Sequence, residues 1–235
     1  MLLLNIEYIP GKRIEALGMV KGSTVYSKSF GKDFMAGMKT LVGGEIEGYT
    51  DLLSQARQIA TKRMVDEAAE LASAGVKELL VIAQDITRYG LDCYGAHKLP
   101  ELLRKLCGIS GIHWIRLHYL YPEAITDELI SVIASQPRIL HYLDIPIQHC
   151  NDAILKAMRR RNTRAEIEAL FAKLRKAMPD VVLRTSLICG LPGEGEAEFE
   201  ELCHFLREQR IQRAGVFQFS PEEGTLAAAM EELGF

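Results

Sequence analysis

The sequence has 235 residues, of which 48% are hydrophobic and 25% charged, and its formal net charge is −3. This is typical of a soluble globular protein with one large domain or a domain and a smaller module, and it excludes nucleic-acid binding through bulk positive charge. Because no apolar run is long enough to span a bilayer and no signal-peptide pattern begins the chain, we expect a cytoplasmic protein without a membrane partner.

The N-terminal part is rich in glycine and predicts short strands. Two strand regions are expected at residues 2–9 and 13–27, followed by a short helix that ends near Gly43-Gly44. A long amphipathic helix follows, with Thr50 able to cap its start and Gly75 able to end it.

Two short runs in this part, KDFMAG at 32–37 and VGG at 42–44, resemble the YbjQ-like family, whose members are labelled heavy-metal binders. The resemblance covers roughly residues 1–72. It implies a small α+β unit that assembles into a ring, and therefore a homo-oligomer formed through this segment. Since neither cysteine nor histidine occurs before residue 93, we expect no soft-metal site there.

Strand-like and helix-like segments alternate in the remainder of the chain. Helices are predicted around 99–106, 126–134 and 196–210, with one or two more within 152–178, where Thr163 begins a capping-box pattern. The predicted strands are the apolar runs at 76–83, 113–120, 140–148, 181–189 and 213–219. This alternation predicts an α/β fold with a parallel sheet, either doubly wound or a partial barrel.

The stretch at 181–194, VVLRTSLICGLPGE, combines an apolar run with a glycine-rich loop. An apolar run without alternation suits a strand buried on both faces. Glycines just past a strand allow the backbone to approach a ligand closely. We therefore expect a binding site at this loop.

Polar residues stand near the carboxyl ends of all five predicted strands, and such ends share one rim in a parallel α/β array. They are Gln84, Asp85, Arg116, His118, Asp144, Gln148, His149, Arg184, Ser186, Gln218 and Ser220. One polar residue in an apolar run is more often structural, but several on one rim favour a pocket for a polar ligand. Neither a Ser-His-Asp order nor a P-loop occurs, and no catalytic residue is predicted.

Six ordered motifs together resemble the radical SAM methylthiotransferases over about residues 67–230. They are AGVKELLVIAQDITRYGLD, WIRLHYLYP, YLDIPIQH, ILKAMRR, LRTSLICGLPGE and FQFSPEEGT. The branch that modifies a ribosomal-protein aspartate (RimO) is more similar than the tRNA-modifying branch (MiaB). The resemblance implies a six-stranded partial (β/α) barrel that binds S-adenosylmethionine at an iron–sulfur cluster.

The same resemblance implies which positions contact the cofactor. They are Gln84, Asp85, Arg116, His118, Asp144, Gln148, His149, Arg184, Ser186, Ile188, Gly190, Glu194 and Phe219.

The family's cluster motif, CxxxCxxC, does not occur in the sequence, whose cysteines are Cys93, Cys107, Cys150, Cys189 and Cys203. None lies within four residues of another, so we expect free thiols and no metal site. His118 and His149 have no evident third metal ligand. The iron–sulfur cluster expected of the family thus has no ligands here, whereas S-adenosylmethionine remains a candidate ligand.

The predicted organisation is a YbjQ-like segment at 1–72, barrel strands two to six at 73–230 and a tail at 231–235. In it the YbjQ-like segment takes the place of the first barrel strand and the cluster loop. The predicted function is a methylthiotransferase-like core without that activity, with a ribosomal protein as partner only if the family function were retained. Two alternatives remain open: an oligomeric YbjQ-like assembly protein, and a chimera without an enzymatic role.

Overall fold

The computed structural model describes residues 47–222 and residue 224. The strands predicted at 2–9 and 13–27, the helix predicted near Gly43-Gly44 and the tail at 231–235 lie outside these residues. The chain divides into two compact units. The described part of the first comprises 47–77, 90–96 and 108–113, and the second holds the rest.

The described helices and strands alternate from residue 78 onward. In chain order they are α1 (Glu47–Ser73), β1 (Glu78–Val81), α2 (Leu91–Tyr94), α3 (Leu99–Cys107), β2 (Trp114–Leu117), α4 (Asp127–Ser135), β3 (Ile139–Asp144), α5 (Asp152–Ala157), α6 (Arg164–Ala177), β4 (Val182–Cys189), α7 (Glu196–Glu208) and β5 (Arg213–Gln218). All five predicted strands are present. The prediction that Thr50 caps α1 was wrong, because the helix begins at Glu47 and Thr50 lies inside it.

The five strands form one sheet in the order β1-β2-β3-β4-β5, and every neighbouring pair is parallel. Spatial order therefore follows chain order, with a helical crossover between successive strands. A doubly wound sheet reverses its strand order at a switch point. Since the described strands have no such reversal, the sheet is consistent with a partial barrel.

The two faces of the sheet differ in character. Ile115, Leu117 and Leu143 are fully buried, as are Phe171 of α6 and Phe205 of α7, whose rings lie 6.4 Å apart. The opposite face carries ionic side chains at the alternate positions. Because successive side chains of a strand point to opposite faces, the apolar core and the polar face arise from the same five strands.

Side-chain caps fix the beginnings of the helices that flank the later strands. At α6, Thr163 accepts a hydrogen bond from the Glu166 backbone, and the Glu166 carboxylate accepts one from the Thr163 N–H at 2.7 Å. This confirms the predicted capping box. Asn151 accepts hydrogen bonds from two backbone N–H groups at the start of α5. The region 152–178 therefore holds two helices, each with its own side-chain cap.

In the first unit, α1 packs closely against the loop that precedes β2. Ala68 and Ala72 of the helix are buried. A β-carbon on Gly111 would lie 3.2 Å from the Ala72 carbonyl oxygen, and Gly111 has a φ of +89°. Both facts favour glycine at this position. None of the described helices has the length and apolarity required to cross a membrane.

Candidate functional site

A cavity of about 660 Å³ lies at the carboxyl ends of the strands. All five strands, or the residues that follow them, contribute to its wall. The lining residues are Ile82, Ala83, Gln84, Tyr119, Tyr121, Pro146, Gln148, Arg184, Ser186, Ile188 and Phe217. Five of the predicted cofactor-contacting residues are therefore brought together: Gln84, Gln148, Arg184, Ser186 and Ile188.

The other eight predicted residues do not line this cavity. They are Asp85, Arg116, His118, Asp144, His149, Gly190, Glu194 and Phe219. Asp85 illustrates their structural roles, since its carboxylate accepts a hydrogen bond from the Thr87 N–H at 2.9 Å and caps the 3-10 turn Ile86–Arg88.

Arg184 is held at the cavity wall by a buried carboxylate. Its Nη1 atom donates hydrogen bonds of 2.7 Å to Asp144 Oδ1 and to Ser186 Oγ. The register of the sheet requires this meeting, because Asp144 and Arg184 are paired neighbours on β3 and β4. A β-carbon on Gly215 would lie 3.2 Å from Arg184 Nη2, so glycine on β5 leaves room for the guanidinium.

Asp144 is 1% exposed and remains ionised because it has two partners. Burial raises the pKa of its carboxyl, but hydrogen bonds from His118 and Arg184 together outweigh burial and bring that pKa below its ordinary value. The His118 Nδ1 atom lies 3.3 Å from Asp144 Oδ2. The result is a pre-formed His118–Asp144–Arg184 network behind the cavity.

A second ionic pair continues the polar face toward β1. Arg116 Nε donates to Glu78 Oε1 at 2.7 Å, and the Arg116 guanidinium lies 4.9 Å from the centroid of the Tyr142 ring. Burial, and then the negative charge of Asp144, raise the pKa of Tyr142. The Tyr142 phenol is therefore a neutral hydrogen-bonding group.

In the glycine loop after β4, a carboxylate of the loop itself accepts hydrogen bonds from the loop's backbone. Glu194 Oε2 accepts hydrogen bonds from the N–H groups of Gly190 at 2.6 Å and Leu191 at 3.0 Å. Gly190 and Gly193 have φ values of +79° and +85°, which favour glycine. Since Glu194 occupies these N–H groups, the described loop does not offer them to a ligand.

His149 supports the same loop from the interior. It is fully buried, and its Nδ1 atom accepts the Asn151 N–H at 2.9 Å, which places the imidazole proton on Nε2. That atom faces Glu194 Oε1 at 3.5 Å, too long for a normal hydrogen bond, and neither atom has another partner among the described residues. Burial lowers the pKa of His149 and Glu194 partly offsets this, so the imidazole is neutral at pH 7.

The sequence predictions omitted several residues of the cavity wall. Tyr119, Ile82 and Phe217 line it, whereas the resemblance indicated Phe219 for the last strand. Side chains two residues apart in a strand point to the same face, so the prediction of Phe219 could have been extended to Phe217. Tyr119 gave no signal, because its orientation depends on a left-handed backbone at φ 58°.

An iron–sulfur cluster requires several metal-ligating side chains, mainly cysteine thiolates, at one place. In the described part of the chain, no three His, Cys, Asp or Glu residues lie close enough together to hold a metal ion. Burial raises the pKa of Cys150 to about 12 and also raises the pKa values of Cys107 and Cys189. Cluster iron is bound by thiolates, and burial of this kind disfavours them. The cavity, by contrast, has the size and mixed polar and aromatic lining of a small-molecule site.

Comparison with known proteins gives two matches that overlap along the chain. Residues 1–89 match the YbjQ_1 family model, described as "Putative heavy-metal-binding". About three quarters of the chain is similar to ribosomal protein uS12 methylthiotransferases RimO. That of Lachnoclostridium phytofermentans is 56% identical over 176 residues, 75% of this chain and 40% of the relative, and that of Alkaliphilus oremlandii is 49% identical over 169 residues, 72% of this chain and 39% of the relative. The chain thus spans about two fifths of the length of these relatives.

Solved structures with the same fold belong to radical SAM enzymes. The methyltransferase TsrM from Kitasatospora setae, with cobalamin and a [4Fe-4S] cluster bound, has a TM-score of 0.55 and 15% identity over 67% of this chain and 30% of its own. Coproporphyrinogen III oxidase (HemN) from Escherichia coli has a TM-score of 0.50 and 19% identity over 79% of this chain and 40% of its own. At these identities the likeness shows the fold alone, and it confirms the predicted radical SAM-type α/β architecture.

These findings confirm both predicted resemblances. The chain combines an N-terminal segment that matches the YbjQ-like family model with a longer segment similar to the RimO radical SAM methylthiotransferases, as expected of a hybrid.

Proposed function

We propose that the barrel core binds an adenosyl compound of the S-adenosylmethionine type in the rim cavity and does not cleave it by radical chemistry with its own residues. The observation that carries this proposal is the cavity itself, because its wall is contributed by all five strands. Its volume of about 660 Å³ is ordinary for a cofactor-sized ligand.

The lining supplies groups suited to each part of such a ligand. The amides of Gln84 and Gln148 can donate and accept hydrogen bonds with a heterocyclic base, and the rings of Tyr119 and Tyr121 provide aromatic surface. Arg184 uses Nη1 for its protein partners, so Nε and Nη2 are suited to bind a carboxylate.

The pre-formed network gives Arg184 its role in binding. A guanidinium that is already oriented by Asp144 and Ser186 loses little side-chain freedom when a ligand arrives. Its charge is balanced by the Asp144 carboxylate, so the guanidinium is not an uncompensated ion in the wall. The oriented N–H donors therefore favour a ligand that carries a carboxylate, including a zwitterion.

The proposed lack of radical chemistry is supported by the ligand requirements of the cluster. Three protein thiolates are needed to hold it and leave one iron for S-adenosylmethionine. The sequence contains no CxxxCxxC, and the described side chains contain no group that could take its place. Modification of ribosomal protein uS12, for which the relatives are named, is accordingly not proposed for this chain alone.

Calorimetric titration of the purified protein with S-adenosylmethionine tests the binding proposal. We expect saturable binding by the unmodified protein and roughly threefold to tenfold weaker binding by Gln84→Ala, which removes one exposed lining side chain. Arg104→Ala is the matched control, because Arg104 pairs with Glu128 on the helical surface. No saturable heat from a cooperatively folded sample would refute the proposal.

Anaerobic reconstitution with iron and sulfide tests the second part. We expect no stable cluster, judged by iron content and by the charge-transfer absorbance that a cluster would give. A stable, stoichiometric four-iron spectrum would show that thiolates from this chain do hold a cluster, and it would overturn this part of the proposal.

A second candidate is an oligomeric assembly formed through the N-terminal segment, and the family-model match over residues 1–89 favours it. We propose that this segment ends near residue 72 and that the barrel core occupies 73–230. Sedimentation analysis of the full chain separates the candidates, because a ring would give a discrete multiple of the 26.3 kDa chain mass. A monomer with a functional binding site would exclude the assembly role.

A further inference from the structure

Four non-glycine residues in the described part of the chain have a left-handed backbone. They are Tyr119 (φ 58°), Gln148 (φ 70°), Arg159 (φ 57°) and Arg210 (φ 44°). This conformation is uncommon for residues with a β-carbon and is favoured by glycine. Each instance therefore requires a physical explanation.

Two of the four are explained by helix ends. Arg159 follows α5, and the next N–H, that of Arg160, donates to the Leu155 carbonyl at 2.8 Å. Arg210 follows α7, and the Ile211 N–H donates to the Leu206 carbonyl at 3.2 Å. A left-handed residue with this bond is a common way to end a helix, so these two positions indicate no ligand site.

Tyr119 and Gln148 do not end a helix. Tyr119 comes two residues after β2, and Gln148 comes four residues after β3. Both backbone groups of Gln148 are hydrogen-bonded to β4. Its N–H donates to the Ser186 carbonyl and its carbonyl accepts the Ile188 N–H, each at 2.9 Å. Hydrogen bonds to neighbouring segments therefore impose the conformation.

The backbone at Tyr119 is fixed in the same way. Its carbonyl accepts the Ile86 N–H at 3.2 Å, and the next N–H, that of Leu120, donates to the Asp144 carbonyl at 2.9 Å. None of the bonds at either position involves the Tyr119 or Gln148 side chain. Glycine would satisfy every one of them with less strain.

Both side chains line the rim cavity. Strained non-glycine positions are characteristic of ligand sites, where a side chain in a particular direction contributes to function although its backbone conformation costs free energy. We propose that Tyr119 and Gln148 are the principal ligand-positioning residues of this cavity, the first by stacking on a heteroaromatic base and the second by hydrogen bonding to its edge. This inference rests on the proposed binding of an adenosyl compound and specifies which residues recognise its base.

The test separates stability from affinity. For Gln148→Gly we expect an unfolding midpoint equal to or above that of the unmodified protein, because strain is relieved, and S-adenosylmethionine binding roughly tenfold weaker. Gln148→Ala keeps the strain and removes the amide, so it should bind equally weakly and unfold at a lower temperature than Gln148→Gly. Tyr119→Phe should keep most of the affinity, and Tyr119→Gly should lose it.

Arg210→Gly is the control for glycine at a left-handed position, because Arg210 is exposed beyond α7 and does not line the cavity. It should keep the unmodified affinity. If the unmodified protein binds and Gln148→Gly and Tyr119→Gly bind equally well, the inference is overturned while the proposed function stands. If Gln148→Gly unfolds at a lower temperature than Gln148→Ala, the strain argument is wrong. If the unmodified protein does not bind, both fail together.

Discussion

Replacement of Arg184 by methionine tests how much the buried network contributes to stability. Methionine keeps much of the side-chain volume but removes the hydrogen bonds to Asp144 and Ser186. Asp144 then has only its 3.3 Å contact with His118, although its side chain is 2% exposed. Loss of one partner from a buried pair typically costs about 3–5 kcal/mol, which lowers the unfolding midpoint by roughly 6–20 °C in a domain of this size.

The pH dependence of the loss identifies its cause. In the unmodified protein the lowered pKa of Asp144 gives stability that is complete above about pH 3.9, its ordinary value, and is lost as the pH falls through the lowered value. In Arg184→Met the hydrogen bond from the guanidinium no longer lowers the pKa of Asp144. Burial still raises that pKa, so it should be higher than in the unmodified protein. The variant's deficit should therefore be largest near pH 7 and shrink as the pH falls toward 4, where a protonated Asp144 no longer needs the guanidinium.

Urea unfolding at several pH values measures both quantities. The double variant Asp144→Leu/Arg184→Met should lose clearly less than the sum of the single losses, because no charge is left buried without a partner. Arg104→Ala, which breaks an exposed pair, should cost less than about 1 kcal/mol. A deficit below about 1 kcal/mol for Arg184→Met, or one independent of pH, would refute the reasoning and indicate a solvent-screened pair.

Three further substitutions test other parts of the described structure. Thr163→Ala should cost about 1 kcal/mol in urea unfolding, because the capping box of α6 is lost, and no change would contradict its role. Thr185→Val should cost about 1–3 kcal/mol, since the buried hydroxyl donates to the Ile145 carbonyl at 2.8 Å and accepts the Ile147 N–H at 3.2 Å; a neutral result would argue against this bridge. His149→Gln should flatten the decline in unfolding free energy as the pH falls below about 6.5, because the lowered pKa of His149 makes protonation favour the unfolded state there; an unchanged slope would assign the decline to other groups.

The elements of the fold could be predicted because their signals are local. The apolar runs and their spacing identified all five strands, and Thr163 with Glu166 marked the start of α6. The choice between a doubly wound sheet and a partial barrel could not be made in this way. It depends on which strands are neighbours, and that is decided by packing between distant segments.

The sequence could predict that the candidate site lies at the carboxyl ends of the strands, but not which side chains line it. Strand periodicity correctly put Arg184 and Ser186 on one face, and both line the cavity. His149 follows Gln148 directly, yet only Gln148 reaches the cavity, while His149 is buried toward Glu194. The polar character of each residue was visible in the sequence, but the side toward which it points was not.

The sequence by itself determined the order of strands and helices, the two resemblances and the absence of the cluster spacing, because each is a property of residue type and separation along the chain. Only the tertiary structure decided that Asp144 holds Arg184 at the wall and that Tyr119, with its left-handed backbone, lines the cavity. The first requires β3 and β4 to pair in one register, and the second requires hydrogen bonds from segments more than 20 residues away. Such constraints exist only after the chain has folded.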